Sequence, residues 1–361
     1  MCIRDRLKSN GKNDLVVVSS MGVRITPADR QPVSMSRLYE MQATSAESNV
    51  GNISASLGKR VKVLTKFVKD SAIAEFIKAE LRRRNLEYEG LEIPQGGPFG
   101  CRHQFNIADS GYGRRRPVVQ NDRAGEVACT LSAQDFDLER IFHEEGCRIL
   151  HFSGLIASLS KESGRCCLEI ARMAKKYGTV ISFDMNYRAS FWKGREEELR
   201  PVFQELAGLS DILIGNEEDF QLALGIQGPE AGGLDVSGKI DGFKEMIGRI
   251  RENYPGASVF ATTLRTVIDA NSHQWGAILY AKDQWFVEEQ REIAVYDRIG
   301  GGDGFVGGML YAILSGYPPA EWIRYGWACG ALVATLATDY GQPVSEEEIR
   351  SIYEGNARVK R

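Results

Sequence analysis

The sequence predicts an α/β fold: a mostly parallel sheet with helices on both faces, and a small β-sheet lid. Three observations carry that expectation. Past Leu138, short apolar runs alternate with longer stretches of helical period. The apolar runs are continuous and β-branched, as in strands buried on both faces. Two stretches, near 24–45 and 98–127, break this rhythm with polar, glycine-rich and alternating residues, which suits strands of a lid outside the sheet core.

The elements follow in order. Residues 1–13 are charged and read as a disordered leader, so the ordered chain is expected to begin near Asp14 and run to 361. Leu15–Ser19 and Val61–Thr65 are strands, separated by lid residues and a small-residue helix over Ser48–Leu57. Ile73–Asn85 is an amphipathic helix with Ile73, Phe76, Ile77 and Leu81 on one face. Strands then fall at Ile149–Phe152, Val180–Phe183, Ile212–Ile214 and Ser258–Thr262, with helices at Lys161–Tyr177, Glu196–Gly208, Phe220–Leu224 and Ile240–Asn253. A hairpin over Trp275–Tyr280 and Gln284–Glu288 precedes two closing helices, Gly304–Leu314 and Ala320–Ala337.

Composition excludes several classes. The 361 residues carry a net charge of −3, with 43% hydrophobic and 26% charged residues, which are globular values. A near-neutral balance argues against a nucleic-acid partner. No apolar run reaches the ~18–20 residues of a membrane helix, and the first residues lack the apolar stretch of a signal peptide. Seven cysteines without that signal suggest reduced thiols and a cytoplasmic location. No Cys-x-x-Cys or Cys/His cluster has metal-ligand spacing. Glycine is the outlier, at 38 of 361 residues, above a share of about 7%.

Ligands of open α/β sheets bind beyond the carboxyl ends of strands. Four strand ends here run into polar residues: Asp184, Asn186, Tyr187 and Arg188; Asn216 to Asp219; Thr263 and Arg265; and Asp297-Arg298-Ile299-Gly300-Gly301-Gly302-Asp303. The alternative for any one loop is ordinary surface polarity. The glycine run is the sharpest feature. Bare N–H groups at a helix start hold a phosphate oxygen, and the macrodipole there favours an ionised carboxylate. Asp303 as a plain N-cap is the competing reading. Gly302, Gly304 and Gly307 also spell the GxGxxG of dinucleotide sites, but no strand leads directly into them.

At DRIGGGDGF the chain resembles the ribokinase-like (PfkB) carbohydrate kinases and, within them, the 2-keto-3-deoxygluconate kinase branch. SAESNVG (45–51), NDRAGEV (121–127), SFDMNYRASFW (182–192), GNEEDF (215–220) and TTLRT (262–266) extend the resemblance over nearly the whole chain. It implies a three-layer α/β/α sandwich with a small β lid, forming a carbohydrate kinase domain over 14–361. It also implies ATP-dependent phosphorylation of the primary hydroxyl of a sugar acid, with 2-keto-3-deoxygluconate leading. A neutral ketohexose such as fructose is the alternative acceptor; a catalytically silent sugar-sensing protein is the alternative class.

The same resemblance implies roles. Asp303 is the base, and the N–H groups of Gly300, Gly301 and Gly302 form the anion hole. Asn49, Arg123, Arg188, Asp297 and Asp339 face the sugar, the arginines suiting a carboxylate. Asn216, Asp219, Thr263 and Arg265 lie along ATP. Mg²⁺ is held through ATP phosphates and water near Asn216, Glu218 and Asp219, with no direct protein ligand. Family lids often meet across a homodimer. One departure stands out: Thr44-Ser45 replaces the family's Gly-Gly, and Asn121 stands where relatives often carry an aromatic, so the sugar is open.

Other features are read as structural. Arg82–Arg84 suits a solvated helix face, and Arg114–Arg116 a surface run in the lid. The four histidines suit structural or surface positions. Trp322 and Trp327 suit helix packing, beside adenine in one reading.

Overall fold

Continuous apolar runs build the centre of a nine-stranded sheet in this computed structural model, which describes residues 3–9, 11–228 and 236–357. Positions 1, 2 and 10 of the expected leader, and 358–361, lie outside the described residues.

One helical turn, α1 (Ile3–Arg6), precedes β1 (Asn13–Val18). The chain enters the lid through β2 (Gly22–Pro27) and β3 (Tyr39–Thr44), then returns as α2 (Ala46–Ser56), β4 (Val61–Val68), α3 (Ala72–Arg83) and β5 (Leu86–Ile93). The lid is completed by β6 (Phe105–Asp109) and β7 (Val118–Asp122). The regular α/β rhythm follows: β8 (Cys147–Ser153), α4 (Gly154–Ala157), α5 (Lys161–Lys176), β9 (Val180–Asp184), α6 (Ala189–Trp192), α7 (Glu196–Leu209), β10 (Ile212–Ile214), α8 (Glu217–Leu224) and α9 (Val236–Asn253). Three long strands, β11 (Val259–Asp269), β12 (Ser272–Ala281) and β13 (Gln284–Ala294), lead to α10 (Gly301–Leu314), α11 (Pro319–Ala334) and α12 (Glu346–Glu354).

The large sheet has the order β13-β12-β11-β10-β9-β8-β1-β4-β5. It is parallel from β11 to β5 and antiparallel at the β11–β12–β13 end. Alternate residues of β1 enter different cores. Leu15 and Val17 pack on the side of α2, α3 and α10, whereas Val16 and Val18 pack on the side of α5, α7 and α9. That two-faced burial is the reason the strand reads as continuous apolar. The lid is a four-stranded sheet, β3-β2-β6-β7, close to the stretches expected for it. Its strand β2 carries Arg24, which is buried and paired with Asp297 just before α10.

Helix α10 is apolar all round and lies between α2 and α11. Its inner glycines make that closeness possible. A Cβ at Gly307 would sit 2.7 Å from the Val50 carbonyl oxygen, and one at Gly308 2.4 Å from that of Tyr325. Part of the glycine excess therefore serves helix packing rather than a ligand.

Several expectations need correction. Residues 3–9 of the expected leader lie against the domain: Ile3 is buried, Arg6 pairs with Asp211 at 2.7 Å, and Arg148 Nε donates to the Lys8 carbonyl. β5 and α12 carried no clear signal. β5 is a half-exposed edge strand, and α12 is held by three tyrosine hydroxyls, Tyr311, Tyr317 and Tyr325, converging on Glu346. Arg84 is buried, donates to the Ala43 carbonyl at 2.8 Å and stacks 3.5 Å from the Tyr340 ring centroid. Trp327 is a clamp: its Nε1 donates to the Trp275 carbonyl, and Trp275 Nε1 donates back to that of Trp327.

Candidate active site

Strand order reverses where β8 meets β1, the place where open sheets bind ligands. A cavity of about 780 Å³ opens there, roofed by the lid. Asn49, Arg123, Arg188, Asn216, Asp219, Thr263, Arg265, Gly300, Gly302, Asp303 and Asp339 all line it. Nine of the chain's elements and connecting loops thus meet around one space, and all of these residues were expected from the sequence. Gly301 and Asp297 do not line it.

Asp297 is fully buried. Its carboxylate accepts from Arg24, from Ser110 Oγ at 2.7 Å and from the Ile299 N–H at 2.9 Å. With its oxygens so engaged, it shapes the turn into α10 and anchors the lid behind the cavity wall. Gly300 has φ 83°, and a Cβ there would fall 1.8 Å from the Asp339 carbonyl oxygen. Only glycine fits that turn. Gly302 differs: a Cβ there meets nothing within 4 Å, because it faces the cavity. The first N–H groups of α10 have no intrahelical partner, so they remain available to an anion.

Asp303 lies in the first turn of α10, and Asn49 Nδ2 donates to its Oδ2 at 3.0 Å. The helix start favours its ionised form by about 0.3–1 kcal/mol. Burial opposes that preference. Burial pushes its pKa well above the usual carboxylate range, and Asp339 and Asp184 add to that against Asn49 and Arg188.

Asp184 and Asp219 share this environment. Burial, then the Asp219 charge, raises Asp184 to about 7. Burial raises Asp219 to about 6, although the N–H groups of Asn216 and Tyr187 oppose it. Asp219 and Asn216 form a reciprocal cap of α8, with bonds of 2.8 and 2.9 Å. Glu218 is the exposed acid beside them on the cavity wall.

Thr263 and Arg265 sit within β11 rather than in a loop after it, because that strand runs on to Asp269. Burial and Arg298 lower the Arg265 pKa to about 10. Arg123 is already paired with Glu126 at 2.9 Å, whereas the exposed Arg188 makes no ion pair among the described residues. Thr44 donates to Asp339, and Ser45 Oγ caps α2 by accepting the Ser48 N–H at 3.0 Å. These hydroxyls are spent within the protein.

Sequence reasoning left Asp184, Asn186 and Arg298 without a role, although all line the cavity. Asp184 ends an apolar strand, which is the signal that could have marked it. Asn186 has φ 39°, a conformation asparagine tolerates better than most residues. Five buried side-chain acceptors on the wall lack a hydrogen-bond partner among the described residues: Asn49 Oδ1, Gln104 Oε1, Asn106 Oδ1, Asn186 Oδ1 and Asp339 Oδ1.

The pfkB family carbohydrate kinase model matches residues 12–342. The chain belongs to the pfkB family of carbohydrate kinases. Within that family it is 24% identical, over 96% of its length and 99% of the relative's, to the 2-dehydro-3-deoxygalactonokinase of Haloferax volcanii. It is 25% identical to the 2-dehydro-3-deoxygluconokinase of Bacillus subtilis, over 87% of each chain. The crystal structure of the 2-dehydro-3-deoxygluconokinase of Thermotoga maritima superposes with a TM-score of 0.85 at 25% identity, covering 95% of this chain and all of that one. A ribokinase-like Escherichia coli protein in complex with ATP and Mg²⁺ shares the fold, with a TM-score of 0.75 at 19% identity over 95% of this chain and all of that one. Membership of the pfkB family makes the chain an ATP-dependent sugar kinase, and its sheet and lid have the ribokinase-like arrangement.

Proposed function

We propose that the protein transfers the γ-phosphoryl group of ATP to the primary hydroxyl of a sugar acid, with 2-keto-3-deoxygluconate the leading acceptor. The observation that carries this reading is the cavity wall itself. Unpartnered acceptors of Asn49, Asn186 and Asp339 suit the hydroxyl donors of a sugar. The unpaired Arg188 on the same wall suits a carboxylate. The relatives named above act, by name, on keto-deoxy sugar acids.

Asp303 takes the proton of the acceptor hydroxyl as that oxygen bonds the γ-phosphorus. The bond to the bridging oxygen breaks, and ADP leaves. A base with a raised pKa accepts that proton more readily. The N–H groups at the start of α10 hold the phosphoryl oxygens, with Gly302 leaving room for their approach. Phosphoryl transfer asks mainly for positioning and charge stabilisation.

Magnesium fits this site as an ion carried with the nucleotide. Glu218, Asp184 and Asp219 supply negative charge on the wall, while no group of three His, Cys, Asp or Glu among the described residues is placed to hold a metal alone. When bound, it neutralises phosphate charge.

Cytoplasmic location is supported by free thiols at all six described cysteines; no described helix is long and apolar enough to cross a membrane. Exposed Tyr39, Met41, Val118 and Val119 on the lid suit a homodimer.

An ATP-coupled assay over keto-deoxy-aldonates, aldonates and neutral ketohexoses tests the reading. Turnover of sugar acids is expected. Turnover of ketohexoses alone supports the fructose-like alternative, and binding without turnover supports a sensing protein.

A further inference from the structure

The lid loop and the tip of the β11–β12 hairpin are stitched together. The Ala270 N–H donates to the Gly113 carbonyl at 2.9 Å, and the Gly113 N–H donates to Asn271 Oδ1 at 2.6 Å. Beside this seam lies a second cavity of about 450 Å³, which shares Arg298 and Pro117 with the first.

Its charge is one-sided. Arg114 and Arg116 reach it from the lid, His273 from β12 of the large sheet and Arg298 from the loop between β13 and α10. Asp269 is its single acid, and Asp269 Oδ1 is already engaged by the Asn271 N–H at 2.7 Å. The intervening Arg115 is neutralised by Asp109. Arg114, Arg116 and Arg298 have no such carboxylate: none makes an ion pair among the described residues. Three cations around one concavity, none matched by a carboxylate partner, leave it net positive and open to an anion.

His273 is the second, independent observation. It is 2% exposed, lines this cavity, and its Nε2 is buried without a hydrogen-bond partner. Burial, then Arg265 and Arg298, holds its pKa down at about 4, against the opposing effect of Asp269. Arg114, Arg116 and His273 line only this second cavity, so its chemistry is not that of the first.

We propose that the seam is a second binding site, for a phosphate group that is free or carried on a small organic molecule. Guanidinium forks from two sides match its oxygens. An occupant there bridges the lid to the β11–β12 hairpin and to the loop that leads into the glycine turn.

Calorimetric titration of inorganic phosphate into the full chain, with a non-hydrolysable ATP analogue filling the first cavity, tests this. Wild type is expected to bind phosphate, and Arg114→Gln/Arg116→Gln to weaken that binding about tenfold or more. The kcat and the KM for ATP should stay unchanged in that variant. Because both side chains are exposed, the fold should persist, and circular dichroism checks it. His273→Gln should weaken phosphate binding independently. A parallel titration with 6-phosphogluconate distinguishes the sources: tighter binding than phosphate marks an organic ligand, and weaker binding marks the free ion. No phosphate binding, displacement of phosphate by the ATP analogue, or unchanged affinity in the double variant would overturn the proposal.

Discussion

Asn49 of α2 donates its side-chain amide to the carboxylate of Asp303 in α10, across 3.0 Å and 254 residues of sequence. The bond favours the ionised acid, against burial and two neighbouring carboxylates. It therefore bears on both the position of the proposed base and the pH at which it works.

Asp303→Asn keeps the shape of the side chain and removes its basicity. We expect kcat to fall by about 10²–10⁴ with a modest change in KM. Steady-state kinetics would check this; near-normal turnover would remove Asp303 from the chemistry.

The pH profile should respond to both neighbours. The raised pKa of Asp303 puts the acid limb of kcat/KM above the ordinary carboxylate range. Asn49→Ala removes a bond to the ionised form, so that limb should move to higher pH. Asp339→Asn removes a like charge, so it should move to lower pH. Shifts in the same direction would contradict the electrostatic account.

Two glycines of α10 should separate packing from catalysis. Gly308→Ala drives a methyl into the Tyr325 carbonyl and should cost about 1–3 kcal/mol, lowering the Tm. Gly302→Ala places its methyl in open cavity, so the Tm should hold while kcat falls. Thermal denaturation beside activity distinguishes them.

Thr44→Gly should release Asp339 from its present bond and open the sugar end of the cavity. The expected result is a change in relative kcat/KM among acceptors with the KM for ATP unchanged. Identical acceptor preference would mean that Thr44 has no part in specificity.

Glu145 supplies a stability test far from the site. Burial would raise its pKa, but Lys62, Asn13 and Lys12 outweigh that and lower it from 4.5 to about 2. Its folded form thus contributes stability that is present above about pH 4.5 and lost as pH falls through 2. Glu145→Gln should be less stable than wild type near neutral pH, with the gap closing over that window in denaturant titrations.

Residues whose neighbours in sequence decide their environment were legible in the sequence. The β1 and β4 runs, and the glycines before Asp303, belong to that group. Distant partners account for the rest. Asp297 reads as a site acid until Arg24, on a lid strand, engages it in the interior. Arg84 reads as part of a solvated run until Tyr340 and the Ala43 carbonyl enclose it. The proton affinity of Asp303 depends on Asp184 and Asp339, which no local pattern places beside it. The stretch 98–127 illustrates the opposite case, since its polar, broken texture marked the lid without fixing its strand order.

The packing of α2 against α10 also has a cost during synthesis. A ribosome adding about 5–20 residues per second needs roughly 13–50 s to make the 254 residues from Asn49 to Asp303. Throughout that interval Val50 and Ile53 lack the helix that covers them in the finished protein. The nascent chain carries a greasy, half-built ligand pocket until its last sixth emerges, and that is the period in which a chaperone or a protease meets it.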